Sequence, residues 1–201
     1  MIHWTLEDLD AVAEALQGSA VILLPTDTIY GLHAVATNEE AVERIATMKG
    51  RDAKPFVVLA ASMEQLNALG VQMPNDVRNA LGEVWPAALT AILPLAAPLP
   101  ATRGASSIAV RIPALPWLRE LLERTGPLVS TSANRSGEVP VQHPNELAQS
   151  LQDGLDGLVE AGRLSGEASA IVDFTGTTPR VVRGGELFFT QKVWKTLRIS
   201  L

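Results

Sequence analysis

Segments typical of strands and segments typical of helices alternate along most of this chain, and this alternation most constrains its fold. Residues 21–24 form a continuous apolar run that predicts a buried strand, and residues 56–60 predict another. Between them, Ala41, Ile45 and Met48 recur at the spacing of a helix face. Alternation of this kind predicts an α/β domain whose sheet contains parallel pairs covered by helices.

The same patterns predict further elements. A first helix is expected to begin at Thr5, which can cap it, and to end at Gly18. A last helix is expected after Glu186. The run of short strands late in the chain favours a mixed sheet, and because no repeat or linker is found, we expect one domain over residues 1–201. Other helices are expected near 62–70, 75–84, 116–126 and 145–151, and strands over 89–93, 107–111, 128–130, 158–160, 170–173 and 181–183.

Composition excludes several classes of function. The chain has no cysteine, which excludes disulfides, thiolate catalysis and cysteine-bound zinc. It has 16 Lys and Arg against 22 Asp and Glu, a net charge of −6, which argues against a broad nucleic-acid-binding surface. No apolar run approaches the roughly 18–20 residues of a membrane span, and the first residues do not resemble a secretion signal. We therefore expect a soluble, cytoplasmic protein with no membrane association.

Polar residues that follow predicted strands are the candidate site, because open α/β sheets bind ligands at strand ends. Thr26, Asp27 and Thr28 follow the first buried strand, and Gly31 permits close approach of a ligand. The alternative is a simple turn with local bonds between side chains and backbone. The loop at 130–137 holds four hydroxyls, an amide and a guanidinium, and is equally consistent with phosphate binding and with a structural turn.

Cations supply the other half of the candidate site. Lys49 and Arg51 flank Gly50 and could hold an anion, although basic residues also favour helix C-termini for dipole reasons. Arg111 and Arg183 end strands and could bind a carboxylate or phosphate or simply be solvated. Ser169 is one hydroxyl before a strand, and His33 is expected to pack rather than to catalyse. Without further information these residues suit an anionic ligand such as a nucleotide, and they do not specify a reaction.

Taken in order, these segments resemble the YrdC/TsaC/Sua5 family of threonylcarbamoyl-AMP synthases. Residues 25–32 (P-T-D-T-I-Y-G-L) are similar to the family's opening P-T-[DE]-T-x-Y-G-L motif. Lys49 to Arg51 is similar to its K-x-R motif, and Ser132 to Asn134 to its S-x-N motif. The segments 85–90, 107–113 and 181–184 also fall in the family's order, so the resemblance covers roughly residues 5 to 190.

The resemblance implies a twisted mixed sheet with an open cleft, and an enzyme that makes L-threonylcarbamoyl-AMP and pyrophosphate from L-threonine, bicarbonate and ATP. It implies a place in tRNA t6A37 biosynthesis, hand-off of the product to a tRNA threonylcarbamoyl transferase complex, at most weak tRNA binding, and Mg²⁺ entering with ATP. It also implies the site residues. L-threonine would be held by Thr26, Arg111, Ser130 and Ser169. ATP would be held by Lys49, Arg51, Ser107, Ser132, Asn134 and Arg183. The catalytic residues would be Lys49, Arg51, Ser132 and Asn134, and no protein residue would bind a metal ion.

Four positions depart from the family pattern. Asp52 stands where proline often follows K-x-R, Ala87 and Ala88 replace a Gly-Pro pair, and Ala170 replaces a hydroxyl residue. The chain otherwise resembles the short bacterial form of the family. Two alternatives stay open from the sequence: a non-catalytic nucleotide- or RNA-binding module on the same fold, and a carbamoyl-transfer enzyme.

Overall fold

The computed structural model describes residues 1–50, 54–134, 138–164, 168–184 and 195–197, and in them ten strands form one sheet. The strand order is β1-β8-β2-β3-β7-β4-β6-β5-β9-β10, with β1 and β10 at the edges. The strands are β1 (Ile2–Thr5), β2 (Ile22–Leu24), β3 (Gly31–Val35), β4 (Val57–Leu59), β5 (Leu89–Pro94), β6 (Ser107–Arg111), β7 (Leu128–Ser132), β8 (Gly157–Glu160), β9 (Ala170–Asp173) and β10 (Arg180–Arg183).

The sheet is mixed, as the sequence predicts. β8 runs parallel to both β1 and β2, and the pairs β4–β6 and β5–β9 are also parallel. The pairs β2–β3, β3–β7, β4–β7, β5–β6 and β9–β10 are antiparallel. The predicted α/β class with parallel and antiparallel strands is confirmed.

Helices cover both faces of the sheet, and each face has its own apolar core. One core joins helices α1 and α5 to side chains such as Ile22, Leu59 and Leu128. The other joins helices α2, α3, α4 and α6 to the alternate side chains, such as Leu23, Val58 and Val129. The helices are α1 (Leu9–Gln17), α2 (Glu39–Lys49), α3 (Met63–Ala68), α4 (Asn75–Val84), α5 (Pro116–Thr125) and α6 (Gln149–Gln152).

Two short strands were not predicted, and one of them changes the start of the first helix. Thr5 belongs to β1 and does not cap α1; its N–H and its hydroxyl both bond the carboxylate of Asp8, the N-cap residue. β3 (Gly31–Val35) was missed because its glycine and histidine interrupt the apolar pattern. β7 continues through Ser132, two residues beyond the predicted strand end.

The predicted helix at 145–151 is divided into a short 3-10 turn at Pro144–Glu146 and the four-residue helix α6. A second 3-10 turn, Pro100–Thr102, lies in the predicted loop after β5. The predicted terminal helix falls mostly outside the described residues. Leu197, which is described, is buried in the core that contains α2 and α4. Among the helices that the structure describes, none has the length and apolarity to cross a membrane.

Candidate active site

A cavity of about 220 Å³ opens on the sheet face that carries α1 and α5, beyond the area that these helices cover. Side chains of one face of β3, β7, β4 and β6 form its floor, because Gly31, Ser130, Val57 and Arg111 share the face of Leu128 and Leu59. The volume is below the roughly 300–1,000 Å³ of pockets for drug-sized ligands. The cavity therefore suits a small polar molecule or the polar end of a larger one.

The loop between β2 and β3 forms one wall through a directed chain of hydrogen bonds. The Thr26 hydroxyl donates to the Ile29 carbonyl at 2.7 Å and lies 2.8 Å from the Thr28 hydroxyl, which must then be the donor of that pair. Arg111 Nη1 donates to the Thr28 hydroxyl at 3.2 Å. Local turn bonds and a ligand wall were alternatives in the sequence, and here the same threonines provide both, since Thr26 and Thr28 also line the cavity.

Arg111 is the most deeply buried cation of the cavity, with 4% of its surface exposed. Its Nη2 lies 3.3 Å from Asp27 Oδ1, and Asp27 Oδ2 accepts the Ala114 N–H at 2.9 Å. Burial lowers the pKa of Arg111, Asp27 opposes that shift, and the nearby positive charge of Arg183 adds to it. In the described part of the chain, the cavity lining thus contains two guanidinium groups and no carboxylate, and only Arg111 is paired with a carboxylate, that of Asp27, which favours an anionic ligand.

The opposite wall is formed by the end of the chain's last strands. Arg183 Nε donates to the Ser169 carbonyl at 2.9 Å, and its Nη2 lies 3.4 Å from the Ser169 hydroxyl. Burial also lowers the pKa of Arg183. The Ser169 hydroxyl is 2.8 Å from that of Thr90, a residue with no exposed surface. A serine, a threonine and an arginine from three elements therefore form one polar cluster at this wall.

Lys49 joins the end of α2 to the hydroxyl-rich loop after β7. Its ammonium donates to the Ser132 carbonyl at 2.6 Å, to the Asn134 side-chain oxygen at 3.1 Å and to the Asn134 carbonyl. The Ser132 hydroxyl also donates to the Asn134 side-chain oxygen. Lys49 of the K-x-R motif is therefore in direct contact with Ser132 and Asn134 of the S-x-N motif. Gly50, which is left-handed with φ 57°, ends α2 directly after Lys49.

His33 lies on the same face of β3 as Gly31, beside the cavity floor, and is fully buried. Its Nδ1 is 2.9 Å from the Gly31 carbonyl, so Nδ1 carries the proton, and the unprotonated Nε2 has no hydrogen-bond partner among the described residues. The imidazole covers Gly31 so closely that a Cβ there would lie 2.9 Å from His33 Cε1. Burial lowers the pKa of His33 to about 3, which agrees with a packing role.

The structure brings most of the predicted site residues together. The cavity lining contains all four residues proposed for L-threonine, Thr26, Arg111, Ser130 and Ser169, and two of those proposed for ATP, Ser132 and Arg183. Lys49 and Asn134 contact Ser132 but are not part of the lining. Their individual roles remain predictions.

Two predicted residues are not placed at the cavity. Ser107 begins β6, four residues before Arg111, and is absent from the described lining. Arg51 lies outside the described residues, as do Asp52, Arg135 and Ser136. Sequence reasoning missed the pairing of Asp27 with Arg111 and the contribution of Thr90. Thr90 stands in the segment 85–90 that carries part of the family resemblance, and that was the available signal.

No resident metal site is found among the described residues. They contain no group of three or more His, Cys, Asp or Glu able to hold an ion. The described cavity lining offers hydroxyl oxygens and no carboxylate, so it fits a metal ion only when phosphate oxygens carry most of the coordination.

An α/β fold with clustered hydroxyls and cations at its strand ends defines a class of enzyme that binds anionic substrates. A family model described as Sua5/YciO/YrdC, telomere recombination, matches residues 14–185, and the chain belongs to this family. The enzyme named threonylcarbamoyl-AMP synthase of Pseudomonas aeruginosa strain UCBPP-PA14 is 33% identical over 174 residues, which are 85% of this chain and 94% of that protein. The chain is an enzyme of this nucleotidyltransferase type.

Solved structures agree with the family assignment. The structure described as Pyrococcus abyssi Sua5 complexed with L-threonine superposes with a TM-score of 0.83 at 30% identity, and the match covers 92% of this chain. Escherichia coli YciO superposes with a TM-score of 0.80 at 26% identity, covering 92% of this chain and 94% of that one. This chain spans 57% of the length of the Pyrococcus protein.

Proposed function

We propose that this protein is an L-threonylcarbamoyl-AMP synthase, which converts L-threonine, bicarbonate and ATP to threonylcarbamoyl-AMP and pyrophosphate. The supporting observation is the joint placement of Thr26, Arg111, Ser130 and Ser169 in one cavity, next to the contact of Lys49 with Ser132. The similarity to enzymes of this name, and to a relative described with L-threonine, supports the same reaction.

The reaction requires little covalent chemistry from the protein. The threonine amine forms a C–N bond with the carbon of bicarbonate or CO₂, and water leaves when bicarbonate reacts. A carbamate oxygen then attacks the α-phosphorus of ATP while the bond to pyrophosphate breaks. The protein must align the carbamate with the phosphorus and stabilise charge on the phosphate oxygens, which is the task of fixed cations and hydrogen-bond donors.

Each part of the site has a task in this reaction. Arg111, held by Asp27 and Thr28, would bind the threonine carboxylate. Lys49 and the loop of Ser132 and Asn134 would orient the ATP phosphates, and Arg183 would contact them from the other wall. Mg²⁺ would enter as the ATP complex and neutralise phosphate charge. Ser107 and Arg51 stay in the ATP set as predictions.

Pyrophosphate release is the first test of this function. We expect release that requires ATP, L-threonine and bicarbonate together, and a threonylcarbamoyl adenylate whose mass shifts by one unit with ¹³C-bicarbonate. Purified, folded protein that releases no pyrophosphate with all three present would exclude the proposal. Dependence on carbamoyl phosphate in place of threonine would indicate carbamoyl transfer.

Replacement of Lys49 tests the phosphate-orienting part of the site. Lys49→Ala removes a cation that contacts Ser132 and Asn134, and we expect pyrophosphate release to fall by roughly 10²–10³-fold, as for loss of one preorganised donor. Lys195→Ala, at an exposed lysine near the α4 side of the molecule, is the matched control and should leave the rate unchanged. Thermal unfolding of both variants separates loss of activity from loss of fold, and a wild-type rate in folded Lys49→Ala would contradict this role.

We further propose that the adenylate is passed to a tRNA threonylcarbamoyl transferase complex for t6A37 synthesis in the cytoplasm. The protein itself should bind tRNA weakly, because its net charge is −6. Filter binding of tRNA at two salt concentrations tests this expectation. Tight binding that weakens steeply with salt would favour the RNA-binding alternative.

A further inference from the structure

Thr90 is a buried hydroxyl residue directly behind the cavity wall. It lies on β5 with no exposed surface, and its Oγ1 is 2.8 Å from the hydroxyl oxygen of Ser169. In the described part of the chain, that is the one hydrogen bond of the Thr90 side chain. Ser169 lines the cavity and Thr90 does not, so any influence of Thr90 on a ligand passes through Ser169.

The direction of this hydrogen bond follows from counting protons. If Ser169 donated to Thr90, the proton of the fully buried Thr90 hydroxyl would have no acceptor, at a cost of roughly 1–3 kcal/mol. If Thr90 donates to Ser169, the buried Thr90 proton has an acceptor, and only the Ser169 proton, which can reach the cavity, is without one. The Arg183 guanidinium is also only a donor, and its Nη2 lies 3.4 Å from the same serine oxygen. Both lone pairs of the Ser169 oxygen are then engaged, and its proton is left for the cavity.

We propose that Thr90 is a positioning residue that fixes Ser169 as a hydrogen-bond donor toward the cavity and thereby selects a ligand group with an anionic oxygen. Ser169 then acts with Arg111 and Arg183, so that all three groups present hydrogen-bond donors to the cavity. The donor role follows from the contacts of Thr90 and Ser169. Its assignment to the carboxylate or carbamate of threonine rests on the proposed function.

The chain offers a matched pair of substitutions for the test. Thr90→Val keeps the side-chain shape and removes the hydroxyl, whereas Thr90→Ser keeps the hydroxyl. Thr102 is the control position, because it is also fully buried and its hydroxyl donates to the Leu99 carbonyl at 2.8 Å, away from the cavity. Thr102→Val therefore has the same loss of a buried hydroxyl without the effect on Ser169.

Inorganic sulfate is the probe, because its binding does not depend on the proposed reaction. In NMR titrations we expect the sulfate Kd of Thr90→Val to rise about fivefold, that of Thr90→Ser to stay within twofold of wild type, and that of Thr102→Val to be unchanged. If Ser169 instead donates to Thr90, the valine variant releases the serine proton to the anion and binds sulfate more tightly. Unchanged or tighter binding by Thr90→Val would overturn the proposal.

A double-mutant cycle tests whether Thr90 acts through Ser169. We expect Ser169→Ala to weaken sulfate binding, and Thr90→Val to add nothing in the Ser169→Ala background. An additive loss would mean that Thr90 acts by another route and would contradict the proposal. If Thr90→Val does not fold, Thr90→Ala in the same cycle gives the same answer.

Kinetics separate this inference from the proposed function. In an active enzyme, Thr90→Val should raise the KM for L-threonine about fivefold with kcat within twofold of wild type, and Thr90→Ser should restore the KM. An inactive wild-type protein that shows the expected sulfate pattern would refute the proposed function and leave the role of Thr90 intact. An active wild-type enzyme whose Thr90→Val variant binds sulfate unchanged would refute the role of Thr90 and leave the proposed function intact.

Discussion

At the scale of single residues, the cavity depends on charges that are held by a few fixed partners. Arg111 and Asp27 are both buried, and their pairing keeps each from being an uncompensated charge in the interior. The pair stabilises the fold little relative to an apolar pair, because both ions lose their hydration. Its value is positional, since the guanidinium is fixed at the cavity floor before a ligand arrives.

The buried His33 predicts a specific pH dependence of stability. Its pKa is lowered to about 3 in the folded protein, against 6.5 when unfolded, so between these values the unfolded state binds the extra proton. Stability from this residue is therefore fully present above about pH 6.5 and falls as the pH decreases, by up to roughly 1.4 kcal/mol per pH unit. Urea unfolding between pH 7 and pH 4.5 measures this slope.

The control for this slope is His33→Asn, whose amide N–H can replace the bond from Nδ1 to the Gly31 carbonyl. In this variant, the slope of the free energy of unfolding against pH should be smaller by up to about 1.4 kcal/mol per pH unit. The part of the slope that comes from carboxylates such as Asp173, whose pKa is lowered in the folded protein, should remain. Identical slopes in the two proteins would show that His33 is not the titrating group.

The sequence indicates which residues are chemically suited to the site, but not which of them meet. Arg111 could be proposed because it ends a strand, and Ser169, which precedes one, through the family resemblance. The partner role of Asp27 and the hidden hydroxyl of Thr90 could not, because they depend on contacts 84 and 79 residues apart (111 − 27 and 169 − 90). Such contacts are fixed by the order of strands in the sheet, which local patterns do not encode.

At the scale of elements, local signals located the helices well and the short strands less well. Asn38 caps α2 and Ser62 caps α3, each by accepting a hydrogen bond from the backbone N–H three residues on. The strands β6 and β9 have their predicted bounds. β1 is a largely exposed four-residue edge strand, so its sequence shows no apolar pattern that would predict a strand. It is identified in the structure by its pairing with β8.

Two glycine substitutions, one at the C-cap of α2 and one inside α4, are predicted to change the free energy of unfolding in opposite directions. Gly50 ends α2 with φ 57°, and a Cβ there would meet no atom of the described residues within 4 Å, so we expect Gly50→Ala to cost backbone strain of about 1–2 kcal/mol. Gly82 lies inside α4, where a Cβ also meets nothing within 4 Å, and Gly82→Ala should stabilise the protein by about 0.5–1 kcal/mol. Denaturant unfolding measures both changes. Equal effects at the two positions would contradict the assigned backbone conformations.

At the scale of the whole molecule, the sheet order determines the site. β8 is inserted between β1 and β2, and β9 with β10 is joined to the rest of the sheet through β5. This arrangement spreads the cavity lining from Gly31 on β3 to Arg183 on β10. The order could not be derived from the sequence because it brings together strands far apart in the chain, and folds with the same elements could pair them differently.

Because the cavity reaches from the middle of the sheet to one edge, a bound ligand should stabilise that edge selectively. β10 is an outer strand that pairs with β9, and Arg183 ties it to Ser169 at the cavity wall. With sulfate at about 100 times its Kd, states that open the cavity are disfavoured by about 2.7 kcal/mol, roughly 100-fold. We therefore expect the amide hydrogens of Arg180–Arg183 to exchange up to 100-fold more slowly when sulfate is bound. Hydrogen–deuterium exchange measures this change. β1 at the other edge shares no residue with the cavity and is the internal control, so equal protection of both edges, or of neither, would show that the ligand does not bridge the two walls.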